Sequence, residues 1–459
     1  MATQKKPNIV IINPDQMRWD YASCYGHPFI ETKHLDRLAE MGTRFEYAFA
    51  SCPMCAPSRT SFLTGQYTTE HGVRNYGGSF PQSRPNALRN LGEAGYLRGL
   101  WGKDHVFAGK VIGTLYDEGS NVVSGVRAGH PAYKRAWDCA VLEEDSEWNT
   151  TKRLTDNGLD FINRHANGDK PFFLTLNYQD PHPFFACPEP WASIFNPEQF
   201  SLPPNFRRAP TNGEIRRLTH WRIHADEVNM PEDELKQALA MYCGQIRYVD
   251  DQVGRVLETL ESLGILDETV VLFWSDHGEF IGDFGVTHKL PAFFECLMRV
   301  PLVMWDPTGQ LARGHCTDLV QTMDAMATVL DICGVPQPEG SRARSLLKTH
   351  FARDEVFADA GLIVKQPESP ISGLRLKAAQ PPTAFGPGAM LRTKRWKLSI
   401  YADDKGELYD IENDPYEIEN RYDDSSCAGV VQEMTTRLLK RMLCNGQAPE
   451  DLPKVSISV

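Results

Sequence analysis

The stretch Asn8-Ile-Val-Ile-Ile-Asn-Pro-Asp15 sets a short apolar run against a turn that ends in a carboxylate. An apolar run without polar alternation reads as a strand covered on both faces, the condition of a parallel sheet. Two further runs repeat the design: Pro171-Phe-Phe-Leu-Thr-Leu-Asn-Tyr178, leading into Asp180-Pro-His182, and Thr269-Val-Val-Leu-Phe-Trp-Ser-Asp276, followed by His277. Helical patterns lie between them, at 32–41, 151–165 and 232–263. The alternation predicts an α/β fold with a large, mostly parallel central sheet and helices on both faces. In such open sheets ligands bind beyond the carboxyl ends of the strands. Asp15, Asp180, His182, Asp276 and His277 all fall there, so three separate stretches deliver metal-ligating and acid–base side chains to one rim.

The chain has 459 residues, more than one simple core accommodates. We expect a catalytic domain over 1–350 and a smaller C-terminal α+β subdomain over 351–459. The run Met390 to Tyr401, the turn Asp-Asp-Lys-Gly and the run Glu407 to Ile411 read as an antiparallel hairpin, with a closing helix at about 430–443. Between about 184 and 230 the chain is rich in Pro, Arg, Asn and aromatics and reads as a long irregular excursion. Its Arg207, Arg208, Arg216, Arg217 and Arg222 suit either an anionic substrate or a solvated charged surface.

The formal net charge is -12 with no basic stripe, which argues against nucleic acid as a partner and leaves room for a small anionic substrate in a focused cleft. No apolar run approaches the roughly 20 residues of a membrane span. Ile9 to Ile12 is too short for a secretory signal, so the expectation is a cytoplasmic protein, or a periplasmic one if a leader has been trimmed. Eleven cysteines without framework spacing fit reduced thiols. Cys52 and Cys55 form a C-x-x-C, but no second such pair or paired His follows at zinc-finger spacing. The tail Pro453 to Val459 alternates like a strand, suiting either a homo-oligomer contact or a frayed terminus.

Cys55-Ala-Pro-Ser-Arg59, followed by Thr-Ser-Phe-Leu-Thr-Gly65, carries the chemistry. Taken alone, Cys55 is a small residue at a helix start with Pro57 in the first turn, a place that favours a neighbouring anion. The segment also matches C-x-P-S-R with its downstream L-T-G, and so resembles the formylglycine-dependent sulfatases of the alkaline phosphatase superfamily. That resemblance implies an alkaline phosphatase-like fold and conversion of Cys55 to formylglycine by a formylglycine-generating enzyme. A hydrated aldehyde carries two hydroxyls: one attacks sulfur, and deprotonation of the other lets sulfate leave, whereas a serine would end as a stable sulfate ester.

The resemblance extends along nearly the whole chain. Asp15 and Gln16 match the first metal segment, where many sulfatases have two Asp. An Asp-Gln pair is similar to that of choline sulfatases and phosphonate monoester hydrolases. Asp276-His277-Gly278-Glu279 matches the second metal pair, so the implied ligands are Asp15, Gln16, residue 55, Asp276 and His277. Ca²⁺ is the first expectation; Mg²⁺ also suits hard oxygen ligands, and an imidazole with one carboxylate fewer makes Mn²⁺ competitive. Gly102-Lys103-Asp104-His105 resembles G-K-x-H, implying Lys103 on a sulfate oxygen and His105 as the base for elimination. Asp180-Pro-His182-Pro-Phe184 implies His182 on the sulfate and as proton donor to the leaving oxygen. Lys289 matches the family's lysine, and Arg59, Lys103 and Lys289 would surround the sulfate. Asn75 and Tyr76 are candidates for the pocket wall. Glu407 to Asn420 resembles a C-terminal signature whose part is to pack the small domain on the large one. The expected activity is sulfuric ester hydrolysis, of a carbohydrate or a small metabolite; a phosphonate monoester or phosphodiester hydrolase on the same scaffold is the rival.

Overall fold

Residues 6–75, 78–122, 129–211, 213–347, 353–361 and 386–444 are described by the computed structural model. Strand β1 (Asn8–Asp15) is buried throughout. Val10 and Ile12 enter one hydrophobic core and Ile9 and Ile11 another, so each face of the strand meets its own packed layer. That two-sided burial is why the run lacks polar alternation, and each such side chain contributes about 1.5–3 kcal/mol.

In chain order the strands that follow are β2 (Thr43–Phe49), β3 (Leu97–Gly102), β4 (Glu118–Asn121), β5 (Cys139–Leu142), β6 (Phe172–Pro181), β7 (Phe185–Pro188), β8 (Thr269–Trp274), β9 (Leu302–Trp305) and β10 (Gly314–Gln321). Eight of them form the central sheet in the order β10-β2-β9-β8-β1-β6-β3-β4. The pairings are parallel except those of β9, which runs against both β2 and β8. The expected α/β architecture is therefore what the chain adopts. β1 lies between β6 and β8, so the ends of the three runs first singled out are side by side. β5 and β7 make a separate two-stranded parallel ribbon.

The long helix Glu232–Ser262 covers one face with an apolar stripe that includes Leu239, Tyr242, Ile246 and Val253. It also organises a neighbour: Asp250 accepts from the His34 and Leu35 amides at 3.3 and 2.8 Å, capping the helix Lys33–Met41 from outside. Arg247 balances Asp250 at 2.8 Å, so the His34–Asp250–Asp251 group is a capping device. No described helix is long and apolar enough to cross a membrane.

A second, antiparallel sheet holds β11 (Glu355–Ala360), β12 (Gly388–Thr393), β13 (Trp396–Tyr401) and β14 (Glu407–Asp410) in that order. The run Met390 to Tyr401, read as one arm of a hairpin, is two strands. Thr393 Oγ1 accepts from the Trp396 amide at 2.9 Å and donates to the Trp396 carbonyl at 3.1 Å, closing a tight turn over Lys394 and Arg395. The closing helix spans Ala428–Leu443. Glu417 of the C-terminal signature accepts from the Glu295 amide at 2.7 Å, and Lys397 donates to the Phe293 carbonyl at 2.7 Å; both tie the small sheet to the large one.

The excursion is more regular and more buried than its composition suggests. It includes β7 and the helix Arg216–His224, and its arginines divide: Arg208 and Arg216 are exposed, as a solvated surface would have them, Arg207 is half-buried, and Arg217 and Arg222 are buried. Arg217 is fully buried: it donates to the Pro291 carbonyl at 2.6 Å and to Asp403 at 2.7 Å, and lies over the Tyr401 ring. Arg222 pairs with Glu214 at 2.8 Å and donates to the Phe284 carbonyl at 2.7 Å. Arg207 also reaches Glu214, Arg208 the Met230 carbonyl, and Arg216 the Asp404 carboxylate through its amide. Planar forks that satisfy several acceptors at once explain why positions 217 and 222 are arginine. Arg217→Met should therefore destabilise the protein by about 3 kcal/mol, because it removes the buried cation that pairs with the Asp403 and Asp404 carboxylates. Chemical denaturation should show the loss, and Arg217→Lys should recover little of it.

Candidate active site

The nucleophile helix Cys55–Thr64 is buried along its whole length, and Cys55 is its first residue. Ser58 fixes its approach to β8 by donating to the Asp276 carbonyl at 2.6 Å. Around the helix start the side chains of Asp15, Cys55, Asp276 and His277 offer ligand atoms that all lie within 4.8 Å of one another. Asp15 ends β1 and Asp276 follows β8, so the parallel pairing of these strands brings the two carboxylates together. Both are fully buried.

The tautomer of His277 decides what the cluster can hold. Its Nδ1 donates to the Gly278 carbonyl at 2.9 Å, which leaves the Nε2 lone pair facing the carboxylates. Nε2 stands 3.7 Å from Asp15 Oδ1 and 3.9 Å from Asp276 Oδ1. Neither His277 Nε2 nor Asp15 Oδ1 has a hydrogen-bond partner in the protein. A lone pair set against two buried carboxylates is repulsive unless a cation stands between them, so the residues fit a divalent metal.

Cations close the site on its other sides. Arg59 donates through Nε to Asp276 Oδ2 at 2.7 Å, through Nη2 to Asp15 Oδ2 at 3.4 Å and through Nη1 to the Lys103 carbonyl at 3.1 Å. These bonds engage all three of its nitrogens, so in this arrangement Arg59 holds the carboxylates. Lys103 Nζ pairs with Asp15. Lys103 follows Gly102, whose φ of 119° is open to glycine, and a Cβ there would meet the Asn177 carbonyl oxygen at 2.0 Å. Lys289 Nζ donates to the Gln16 side-chain oxygen, and the Gln16 amide nitrogen donates to Glu279. Gln16, His105 and His288 all adopt left-handed backbone, at φ 68°, 51° and 65°. Each costs of order 1 kcal/mol, which the surrounding packing must offset.

The electrostatics follow from this geometry. Burial pushes the Asp15 carboxyl up, but Lys103, His182, Arg59 and Lys289 outweigh it and hold the group well below its ordinary value. Burial likewise opposes ionisation of Cys55, yet Lys103, His105 and Lys289 hold its thiol well below the ordinary range. Burial and Lys289 push the His182 imidazole well down, against the pull of Asp15. Its Nδ1 faces the Pro183 carbonyl, leaving Nε2 on the site side. Asp104 is buried and raised by burial; it accepts from the Val106 and Phe107 amides at 3.3 and 3.0 Å, so it shapes the loop behind His105. Asn75 is half-buried in the loop after the nucleophile helix, its carbonyl accepting from the Gly78 amide. Tyr76 lies outside the described residues.

Two contributors had no role assigned from sequence. Glu279 was visible only as the last letter of Asp-His-Gly-Glu. Glu227 carries no motif: it accepts from the Thr287 amide at 2.9 Å and from the Thr287 hydroxyl, while Trp221 Nε1 donates to the Thr287 carbonyl at 3.1 Å. The excursion thus clamps the loop that presents Lys289.

A buried carboxylate–imidazole cluster at the strand ends of such a sheet, beside a cysteine that opens a helix, marks a hydrolase-type site that suits a divalent cation and an anionic ligand. The chain belongs to the sulfatase family: the Sulfatase family model matches residues 7–335, well over half its length. Residues 384–443 match the C-terminal model of N-sulphoglucosamine sulphohydrolase. An arylsulfatase of Clostridium perfringens is 28% identical over 77% of this chain and 80% of its own. A choline-sulfatase of Rhizobium meliloti is 26% identical over 91% and 83%. The crystal structure of a phosphonate monoester hydrolase of Agrobacterium radiobacter superposes with a TM-score of 0.78 at 23% identity, covering 96% of both chains.

Glu227 yields a test of the clamp. Burial raises its carboxyl from 4.5 to about 8, with Glu279 adding to the rise and Arg222 and the Thr287 hydrogen bonds opposing it. The folded state therefore keeps a proton that the unfolded chain releases, and stability falls as pH rises from about 5 to 8. Glu227→Gln keeps an acceptor for Thr287 and removes the titration. It should match the parent at pH 5 and exceed it at pH 8, the gap growing by up to about 1.4 kcal/mol per pH unit in denaturation curves.

Proposed function

We propose that this sulfuric ester hydrolase uses residue 55, oxidised from cysteine to formylglycine by a maturation enzyme, as its nucleophile, and that Asp15, Gln16, Asp276 and His277 hold its divalent metal, with calcium first among the candidates. The observation that carries the reading is the His277 Nε2 lone pair, turned with Asp15 Oδ1 and Asp276 Oδ1 onto a space that residue 55 borders. When bound, the metal supplies charge stabilisation for an ester oxygen and acidifies the hydroxyl at residue 55.

The chain's own side chains divide the remaining work. Arg59 keeps both carboxylates aimed into the site. Lys103 and Lys289 are the cations available to sulfate oxygens, each releasing a protein partner (Asp15 or Gln16) as the anion arrives. His105, close enough to acidify Cys55, takes the proton that allows sulfate to leave. His182 presents Nε2 to the leaving oxygen. Burial is the main cause that holds this imidazole down; an anion bound beside Lys289 offsets the Lys289 repulsion that adds to it, and so favours His182 as the proton donor. Donors preorganised in a dry site typically supply about 2.7–4 kcal/mol each.

The proposed substrate is a small sulfate ester, a sulfated carbohydrate before a metabolite such as choline sulfate. The C-terminal model named for a sulphoglucosamine enzyme supports the first and the choline-sulfatase relative the second. The phosphonate monoester hydrolase fold neighbour is the reason to keep phosphonate monoesters as the competing substrate class.

Mass spectrometry of the tryptic peptide Phe45–Arg59, after co-expression with a formylglycine-generating enzyme, should find the thiol replaced by an aldehyde. Full activity with an intact thiol would overturn the mechanism. In parallel assays on an aryl sulfate, an aryl phosphonate and a diester, the sulfate should be turned over fastest; Lys103→Ala should lower its kcat/KM about 10²–10³-fold.

A further inference from the structure

Glu279 takes no part in the proposed reaction, yet it is fully buried against the site. One of its oxygens accepts from the Ile281 amide at 3.0 Å, and the other accepts from the Gln16 side-chain nitrogen. The Gln16 side-chain oxygen in turn accepts from Lys289 Nζ. A carboxylate only accepts and an ammonium only donates, so the amide between them has one permitted orientation. Gln16 is itself fully buried, so neither end has water as a substitute partner. The backbone is committed as well: the Gln16 amide donates to Asp276 Oδ1 at 3.0 Å.

We propose that Glu279 is a positioning residue that fixes the polarity of the Gln16 side chain, holding its oxygen toward Lys289 and the metal cluster. This rests on the reading of Gln16 and Lys289 as site residues. Without Glu279 the Gln16 amide can turn its nitrogen inward, where it repels both Lys289 and a metal ion. The line Ile281 N–H to Glu279, Gln16 and Lys289 is then a single chain of donors and acceptors, which can be rewritten only by changing two members together.

That constraint supplies the test. In Glu279→Gln one amide must meet two donors, Ile281 N–H and the Gln16 nitrogen, so the chain breaks. In the exchange variant Gln16→Glu/Glu279→Gln it is whole again. Ile281 then donates to the oxygen of the amide introduced at position 279, and the nitrogen of that amide donates to the carboxylate introduced at position 16. Lys289 donates to the same carboxylate. Calcium titration of the chelator-stripped protein by calorimetry, with kcat and KM on an aryl sulfate, should show E279Q weakened at least tenfold in calcium affinity and in kcat/KM. The exchange variant should return to within about threefold of the parent. In a Gln16→Ala background, E279Q should change calcium affinity no further. An E279Q protein equal to the parent in both measurements, or an exchange variant no better than E279Q, would sink the proposal. Should E279Q fail to fold, recovery of fold and calcium binding by the exchange variant still supports it, and failure of both variants to bind calcium rejects it. Absence of aryl sulfate turnover in the parent would count against the functional reading alone, since the calcium cycle reads the Gln16–Glu279 coupling by itself.

Discussion

Two carboxylates, Asp15 and Asp276, end neighbouring parallel strands in a place that water does not reach. Leaving either charge uncompensated there would cost several kcal/mol, and their mutual repulsion adds to it. Most of the surroundings can be read as the response to that cost. Arg59 bridges the pair, Lys103 reaches Asp15 from the end of β3, and the Asp276 oxygen that faces the cluster accepts two backbone amides, those of Gln16 and His277. What these groups leave without a partner is Asp15 Oδ1, next to the lone pair on His277 Nε2. A cation placed there relieves both at once, so burial, tautomer and metal demand are a single constraint.

How the lysine that faces this cluster is held shows why the chain needs its outer parts. Lys289 stands on a loop without regular structure, next to a residue in left-handed backbone. Glu227 and Trp221 grip Thr287 on one side of it, and both belong to the excursion. The excursion is anchored by Arg217 and Arg222, the first to the turn between β13 and β14 and the second to the Phe284 carbonyl. Lys289 therefore sits on a base fixed by the C-terminal sheet. Among the described residues the small sheet contributes no ligand to the cluster, and under the proposed role of Lys289 it acts on the reaction through that base.

The central sheet was legible because burial on both faces leaves an unmistakable apolar run, and β1, β6 and β8 are among the most buried strands. The meeting of Asp15, Asp276 and His277 followed from strand ends alone, which also singled out His182, while Cys55, Lys103, His105 and Lys289 were named only through the family resemblance, since single polar residues carry no period. The split between β12 and β13 was hidden because the turn consists of two ordinary polar residues stabilised by one threonine, with no Gly, Pro or Asn to mark it. Arg217 and Arg222 of the excursion misled for a related reason. Composition counts charge, whereas exposure depends on acceptors that come from distant segments, here Asp403, Asp404 and main-chain carbonyls at 284 and 291. Glu227 left no trace, because its burial is produced wholly by tertiary packing.

Charge arithmetic narrows what the site can prefer. Sulfate monoesters and phosphonate monoesters both arrive as monoanions, so the count of Lys103 and Lys289 against Asp15 and Asp276 cannot separate them. A phosphate monoester dianion is a different case, and a neutral Gln16 in place of a carboxylate makes the site less hostile to it than two acids would. Discrimination between sulfur and phosphorus must then come from geometry. Sulfate offers three terminal oxygens for donors to find, whereas a phosphonate puts carbon in place of one. A lysine held on a clamped loop and a glutamine held in one orientation are the kind of fixed donors and acceptors that make such a difference count, because an unmet partner in a buried site costs more than a met one returns. Under the proposed roles, selectivity is accordingly a property of how rigidly Gln16 and Lys289 are held, and less of which residue types stand around the anion.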